Sequence, residues 1–125
     1  MTQAVLSALA AAFVEGLDQQ QLRYQSCESC GAAQTLARYA CHHCGASALA
    51  WRVASGEATV RAVTVVGRAP SEAFRALVPY TLVLVELDEG SRLMAHAEPG
   101  VGIGDRVRAG FFKHQDRTLI RFTLI

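Results

Sequence analysis

All four cysteines of the chain fall in one short stretch, "CESCGAAQTLARYACHHCG", residues 27 to 45. The spacing is Cys27-x2-Cys30-x10-Cys41-x2-Cys44. Two CxxC pairs bring four thiolates together tetrahedrally, as structural zinc requires. Gly31 and Gly45 each follow the second cysteine of a pair. A residue without Cβ there permits the tight knuckle turn whose amides face the sulfurs. The stretch therefore predicts a rubredoxin-like zinc ribbon, with Cys27, Cys30, Cys41 and Cys44 as ligands. Arg23 and Arg38 are placed to offset the negative charge of a zinc tetrathiolate. His42 and His43 lie inside the second knuckle, but four cysteines already saturate the metal, so both are expected to be solvated bystanders. A four-sulfur shell has no open position for water, so the zinc is expected to stabilise the fold and not to catalyse.

Two other uses of paired cysteines fit less well. Disulfides need an oxidising compartment. The N-terminal "AVLSALAAAFV" has the length of a signal-peptide core, but no Lys or Arg precedes it, and Glu15 and Asp18 follow. Val5, Leu9, Phe13 and Leu17 recur every four residues, which is helical spacing. A redox CxxC opens a helix in a thioredoxin-like unit, and no such unit is evident. No stretch reaches the length of a membrane span. The expected compartment is the cytoplasm, with no membrane partner.

At 125 residues, the chain is one ordinary domain or two very small ones sharing an interface. About half of it, 51%, is hydrophobic, enough for a packed core. The charges nearly balance, 12 basic against 11 acidic residues, which argues against a nonspecific grip on a polyanion. Nucleic-acid binding by a zinc ribbon and barrel is the rival reading. It would use Phe111, Phe112, Phe122 and Trp51 for stacking, and the absence of basic runs weighs against it.

The chain reads as three parts: an amphipathic helix in 1–21, the ribbon in 22–53 and a barrel in 54–125. Short strands, Leu22–Gln25 and Leu49–Val53, flank the cysteines. After Gly56, strands are expected at Ala58–Val66, Tyr80–Leu87, Arg92–Ala97, Arg106–Phe112 and Thr118–Leu124, with one helical turn near Glu72–Leu77. Five such strands in so short a stretch suit a closed barrel of the OB type, so the fold class is mainly β. Tyr80–Leu87 is apolar on both faces. Leu82 and Leu84 need a cover on one side, either the N-terminal helix or a partner protein.

No nucleophile–base constellation stands out, and no serine sits in a GxSxG elbow. "ELDE", Glu86–Glu89, reads as a solvated turn before it reads as an acid–base pair. "GVGIG" lacks the Lys-Ser/Thr of a phosphate loop and reads as a flexible barrel loop. By alternation, Arg92, Met94 and His96 share one strand face, and Arg106 and Arg108 another. If the two faces adjoin, Arg92, His96, Arg106 and Arg108 form a small basic surface for coenzyme A phosphates or for acidic residues of a partner.

The order of parts resembles the zinc-ribbon/OB-fold family of acyl-CoA-associated proteins, formerly a domain of unknown function. The resemblance runs from Phe13 to about Phe112. It is carried by "FVEGLDQQQLRYQSCESCG", "CHHCGASALAWRVASGEATVRAVTVVGRAP", "VPYTLVLVELDEGSRLMAHA" and "GIGDRVRAGF". The family commonly has a Pro pair before an Arg at the ribbon tip; here the tip is "TLAR", Thr35–Arg38. The resemblance implies a non-catalytic accessory or scaffold subunit of an acyl-CoA-processing complex. Its partner would be a thiolase, condensing enzyme, acyltransferase or aldolase. The chain would bridge subunits, and its barrel would contact acyl-CoA.

Overall fold

The computed structural model describes residues 3–35, 37–69 and 71–125. Leu36 of the ribbon tip and the side chain of Val5 lie outside what is described. An α-helix, α1 (Gln3–Asp18), leads into a three-stranded sheet of β1 (Arg23–Cys27), β2 (Ala33–Gln34) and β3 (Leu49–Val53), in the order β2-β1-β3. Five strands then close a barrel: β4 (Glu57–Val66), β5 (Tyr80–Leu87), β6 (Arg92–Ala97), β7 (Arg106–His114) and β8 (Arg117–Leu124). The barrel order is β4-β5-β6-β8-β7, with β7 returning to β4. The β6–β8 pair is parallel and the others antiparallel, as in a five-stranded Greek-key OB barrel. The expected fold class is therefore present. A 3-10 segment, Glu72–Leu77, stands where the helical turn is expected.

The barrel interior follows from alternation. Thr81, Val83, Val85 and Leu87 of β5 point inward and are buried, and the residues between them are half-exposed. They meet Ala58 and Val60 of β4, Ala95 and Ala97 of β6, Val107 of β7, and Ile120 and Phe122 of β8. Phe111 packs on this core and its neighbour Phe112 turns outward, so the adjacent pair divides between the two sides. Val101, in the Gly-rich stretch, is also buried in the core. That stretch is not the loose loop the sequence suggests. The Gly104 amide donates to the Val60 carbonyl at 2.8 Å, and the Val60 amide donates to the Asp105 carbonyl at 3.0 Å. The loop thus satisfies β4 beside the register shift between Val60 and Ala62.

The helix does not cover Leu82 and Leu84. It lies against β1 and β8, where Phe13 and Leu17 reach the core. Arg23 fixes that position. Its guanidinium donates to the Ala12 carbonyl at 3.1 Å and to Gln19 and Gln21. A Cβ on Gly16 would stand 2.7 Å from Arg23 Cδ, so the glycine makes room for the arginine stem. Gly16 lies inside the helix, which continues to Asp18. Arg23 is bonded to the helix and not to the cysteines, so its expected role in balancing the thiolates is replaced by a structural one.

Ribbon and barrel share one core: Leu22 and Ala54, on either side of the ribbon, are buried with the barrel residues. The Ala54 amide donates to the Leu22 carbonyl at 2.7 Å. At the far end, Thr35 of the ribbon donates its hydroxyl to Ser91 in the β5–β6 turn, at 2.7 Å, with both side chains buried.

Candidate metal centre and ligand cleft

The two knuckles are built alike. The Gly31 amide donates to the Cys27 carbonyl at 2.9 Å, and the Gly45 amide to the Cys41 carbonyl at 3.0 Å. The Cys27 amide donates to Ala32, and the Cys41 amide to Ala46. Gly31 and Gly45 have φ of 81° and 80°, the left-handed region where a side chain is strained. The four Sγ atoms lie within 4.8 Å of one another. Cys27 and Cys44 are 3.6 Å apart at sulfur, as are Cys30 and Cys41. Four sulfurs at ~2.3 Å from one zinc ion would sit about 3.8 Å apart, so the cluster has the dimensions of a tetrathiolate site. The backbone amides of Cys44 and His43 hold the Cys41 thiol down at about 6. Such amides favour the thiolate that a metal needs.

The buried face of the ribbon is polar, which the sequence does not announce. Gln25 and Gln34 are opposite each other on β1 and β2, and both are buried. Gln34 Nε2 donates to Gln25 Oε1 at 2.7 Å. Gln25 Oε1 also accepts the Arg38 amide at 3.0 Å, and Gln25 Nε2 donates to the Arg38 carbonyl at 3.1 Å. Gln34 Oε1 accepts the His42 amide at 2.9 Å and faces His42 Nδ1 at 2.7 Å, so Nδ1 carries the proton. Both histidines are exposed, but His42 is tied to Gln34 and so is part of the framework rather than a bystander. The two amide side chains brace the loop between β2 and the second knuckle. The only sequence signal for this is a pair of glutamines in short strands, a weak one.

Arg92 and His96 share the outer face of β6, as alternation predicts. Arg106 and Arg108 share the outer face of β7, and β6 and β7 are not neighbours in the barrel. The four residues do not form one basic surface. Arg106 is held by Asp88 at 2.7 and 2.9 Å, Arg108 faces Glu57 at 3.5 Å, and Glu86 pairs with both Arg61 and Arg92. The Arg106 guanidinium holds the Asp88 carboxyl below its ordinary range. The "ELDE" acids are therefore mostly ion-paired, and Glu89 accepts the Ser55 amide at 2.9 Å.

His96 belongs instead to an aromatic cluster at one end of the barrel. Its ring lies 5.0 Å from that of Tyr80, 5.6 Å edge-on from Phe112 and 6.0 Å from Phe74; Phe74 in turn stacks on His114 at 5.5 Å. A cleft of about 240 Å³ opens beside these rings, lined by Pro79, Tyr80, His96, Pro99, Phe112 and Arg121 among others. Burial, then the charges of His114 and Arg121, push His96 below its ordinary value of 6.5, so its imidazole is neutral at pH 7. Sequence reasoning singled out His96 but missed Phe74, Tyr80 and Arg121, which come from three other segments.

A second apolar feature lies on the outer barrel face. Ala62, Thr64, Leu82, Leu84 and Met94 line a shallow groove across β4, β5 and β6. Met94 is 65% exposed there, and none of the described residues covers it.

Comparison with known families divides the chain between two consecutive parts of one protein type. Residues 14–50 match the ChsH2 rubredoxin-like zinc ribbon domain, and residues 51–112 match the ChsH2 C-terminal OB-fold domain. The chain belongs to the ChsH2 family. Among solved structures it is similar to a chain of an Ltp2-ChsH2(DUF35) aldolase, 29% identical, with a TM-score of 0.79, covering 92% of this chain and 93% of that one. A protein of unknown function from the DUF35 family of Sulfolobus solfataricus shares the fold, at 22% identity and a TM-score of 0.70 over 98% of this chain and 90% of that one. No curated protein sequence matches. The cysteine cluster, whose sulfurs are placed to hold a metal ion, lies within the segment that matches the zinc ribbon. Among the described residues no helix is long and apolar enough to cross a membrane.

Proposed function

We propose that the chain is a non-catalytic accessory subunit of an acyl-CoA-processing enzyme complex, built around a structural zinc and working in the cytoplasm. The observation that carries this reading is the likeness, over nearly the whole chain, to a component of an aldolase complex. The Leu82–Leu84–Met94 groove supports it. An apolar strip on a barrel whose interior is already filled, and which α1 leaves uncovered, is suited to the enzyme subunit as its cover. The partner would be an aldolase, thiolase, acyltransferase or other condensing enzyme, with this chain ordering its subunits. The cysteines supply four soft donors in a closed shell, so zinc bound there would hold the ribbon together and bind no substrate.

Co-expression with an aldolase or condensing enzyme of the same organism tests the reading. The two proteins should purify together, and enzyme activity should depend on this chain. Met94→Glu should break the complex while leaving the thermal midpoint of the isolated chain unchanged. Turnover of an acyl-CoA by the purified chain alone would contradict the assignment. Cys27→Ser should lose both metal and cooperative unfolding; a folded variant would refute a structural zinc.

A further inference from the structure

A cleft of about 400 Å³ lies where the ribbon meets the barrel, and it shares no described lining residue with the apolar groove or the aromatic cleft. Ala33 is the only apolar side chain in its described lining, and the imidazole of His42 is the only ring. Such a wall gives no purchase to a nucleotide base or an acyl chain; it recognises charge and hydrogen bonds. Three side chains, Gln25, Gln34 and Thr35, each preset one group of this lining. Gln25 bonds both the amide and the carbonyl of Arg38, at 3.0 and 3.1 Å. Gln34 holds His42 by its amide at 2.9 Å and by Nδ1 at 2.7 Å. Thr35 donates to Ser91 at 2.7 Å. All three are more than nine-tenths buried, so their polar atoms must be bonded and the groups they bond are fixed.

The groups so placed are complementary to an anion. Arg61, Arg75, Arg106 and Arg108 each have a carboxylate partner, whereas Arg38 has none among the described residues. Arg92 is held loosely, at 3.5 Å, by a Glu86 that also pairs with Arg61 at 3.2 Å. Ser91 accepts from Thr35 and so keeps its own proton to donate. Guanidinium and hydroxyl groups are the donors that phosphate and carboxylate oxygens take. His42 adds the opposite demand. Its Nδ1 proton is committed to Gln34, so Nε2 is an acceptor. An anion that satisfies the whole cleft therefore also brings an O–H.

We propose that this cleft binds a small oxyanion bearing a hydroxyl, either hydrogen phosphate or a hydroxy acid, with Arg38, Ser91 and Arg92 on its charged oxygens and its O–H donating to His42. Such a ligand bridges ribbon and barrel, since Arg38 and His42 stand on the ribbon and Ser91 and Arg92 on the barrel. No partner enzyme enters the argument, so this proposal and the accessory role fail separately.

The test titrates the full zinc-loaded chain with four anions, followed by amide chemical shifts, at about pH 7.5 and constant ionic strength so that screening is the same for each. The anions form two pairs that match in charge and differ by one O–H: phosphate and sulfate, malate and succinate. Saturable shifts should centre on residues 33–35, 38, 42 and 90–92. In at least one pair the hydroxyl-bearing anion should bind about fivefold tighter, as one hydrogen bond gives. The tighter of phosphate and malate names the acid group. Arg38→Gln and Arg92→Gln should each weaken binding about tenfold, as loss of a charged donor does. Arg108→Gln, which removes the same charge elsewhere, should leave binding unchanged. Zinc content measured after each titration separates binding from chelation. No saturation at millimolar probe, shifts centred elsewhere, equal binding within both pairs, or binding unchanged in both cleft variants would overturn the proposal. So would an equal loss in Arg108→Gln, which would make net charge the cause. Tighter binding of adenosine 5′-phosphate than of phosphate would also overturn it, because this cleft has no place for the base.

Discussion

Single residues decide more here than their types suggest. Gln25 and Gln34 would pass as surface amides, yet both are buried and every bond they make holds the ribbon loop. Gln34→Ala should cost about 1–3 kcal/mol, because it strands the His42 amide and leaves the Gln25 amide oxygen with the Arg38 amide as donor. Chemical denaturation measures this. His96 adds a pH dependence. Its folded value lies below the ordinary 6.5, so the unfolded chain binds more protons in that window. Stability is therefore full above about pH 6.5 and falls as pH drops through the folded value. The groups facing it are Tyr80, Phe74, Phe112, His114 and Arg121. Thermal midpoints from pH 7.5 to 5.5 should decline in the native chain and decline less in His96→Gln. Equal slopes would show that other groups carry the dependence.

At the level of elements, the helix is placed by one arginine and two apolar side chains. α1 has neither acidic residues in its first turn nor basic ones in its last, so charge does little to orient it. Phe13 and Leu17 supply its apolar contact, and Arg23 ties its carbonyl at Ala12 to the ribbon. Arg23→Met keeps the stem beside Gly16 and removes the hydrogen bonds. Amide exchange in residues 12–19 should then quicken severalfold while barrel amides stay protected; unchanged exchange would mean that packing alone holds the helix. Gly16 shows why helix ends are hard to read from composition. A glycine suggests a stop, but here it is the gap an arginine passes through. The "GVGIG" stretch misleads in the same direction, since its backbone is bonded to β4 and Val101 fills the core.

For the molecule as a whole, the question is whether ribbon and barrel act as one body. Leu22 and Ala54 join them at the base, and the Thr35–Ser91 hydrogen bond joins them at the tip. That bond closes a cleft of about 400 Å³ lined by Arg38 and Arg92 as well. A double-mutant cycle of Thr35→Val and Ser91→Ala should give a coupling of about 0.5–1.5 kcal/mol in unfolding. A coupling near zero would mean that the tip moves free of the barrel. The ion pairs around the barrel matter less to this unity. They are exposed, and pairs of that kind contribute about 0–1 kcal/mol each. Their effect is to neutralise the arginines that the sequence offers as a basic surface.

Local sequence pattern was enough for the cysteine cluster, the five barrel strands and the order of ribbon before barrel, but not for the two-residue strand β2. These depend on local spacing: two CxxC turns, a period of two, and glycines where φ must be positive. The tertiary structure alone decided which residues meet. Alternation places Arg92 with His96 and Arg106 with Arg108, but only barrel closure shows that β8 lies between β6 and β7 and that Arg121 is His96's neighbour. Likewise, apolar residues on both faces of β5 require a cover without saying which, and the helix settles on β1 and β8 because Arg23 and Gly16 hold it there. Long-range partners are set by the order in which strands close, and no local spacing records that order.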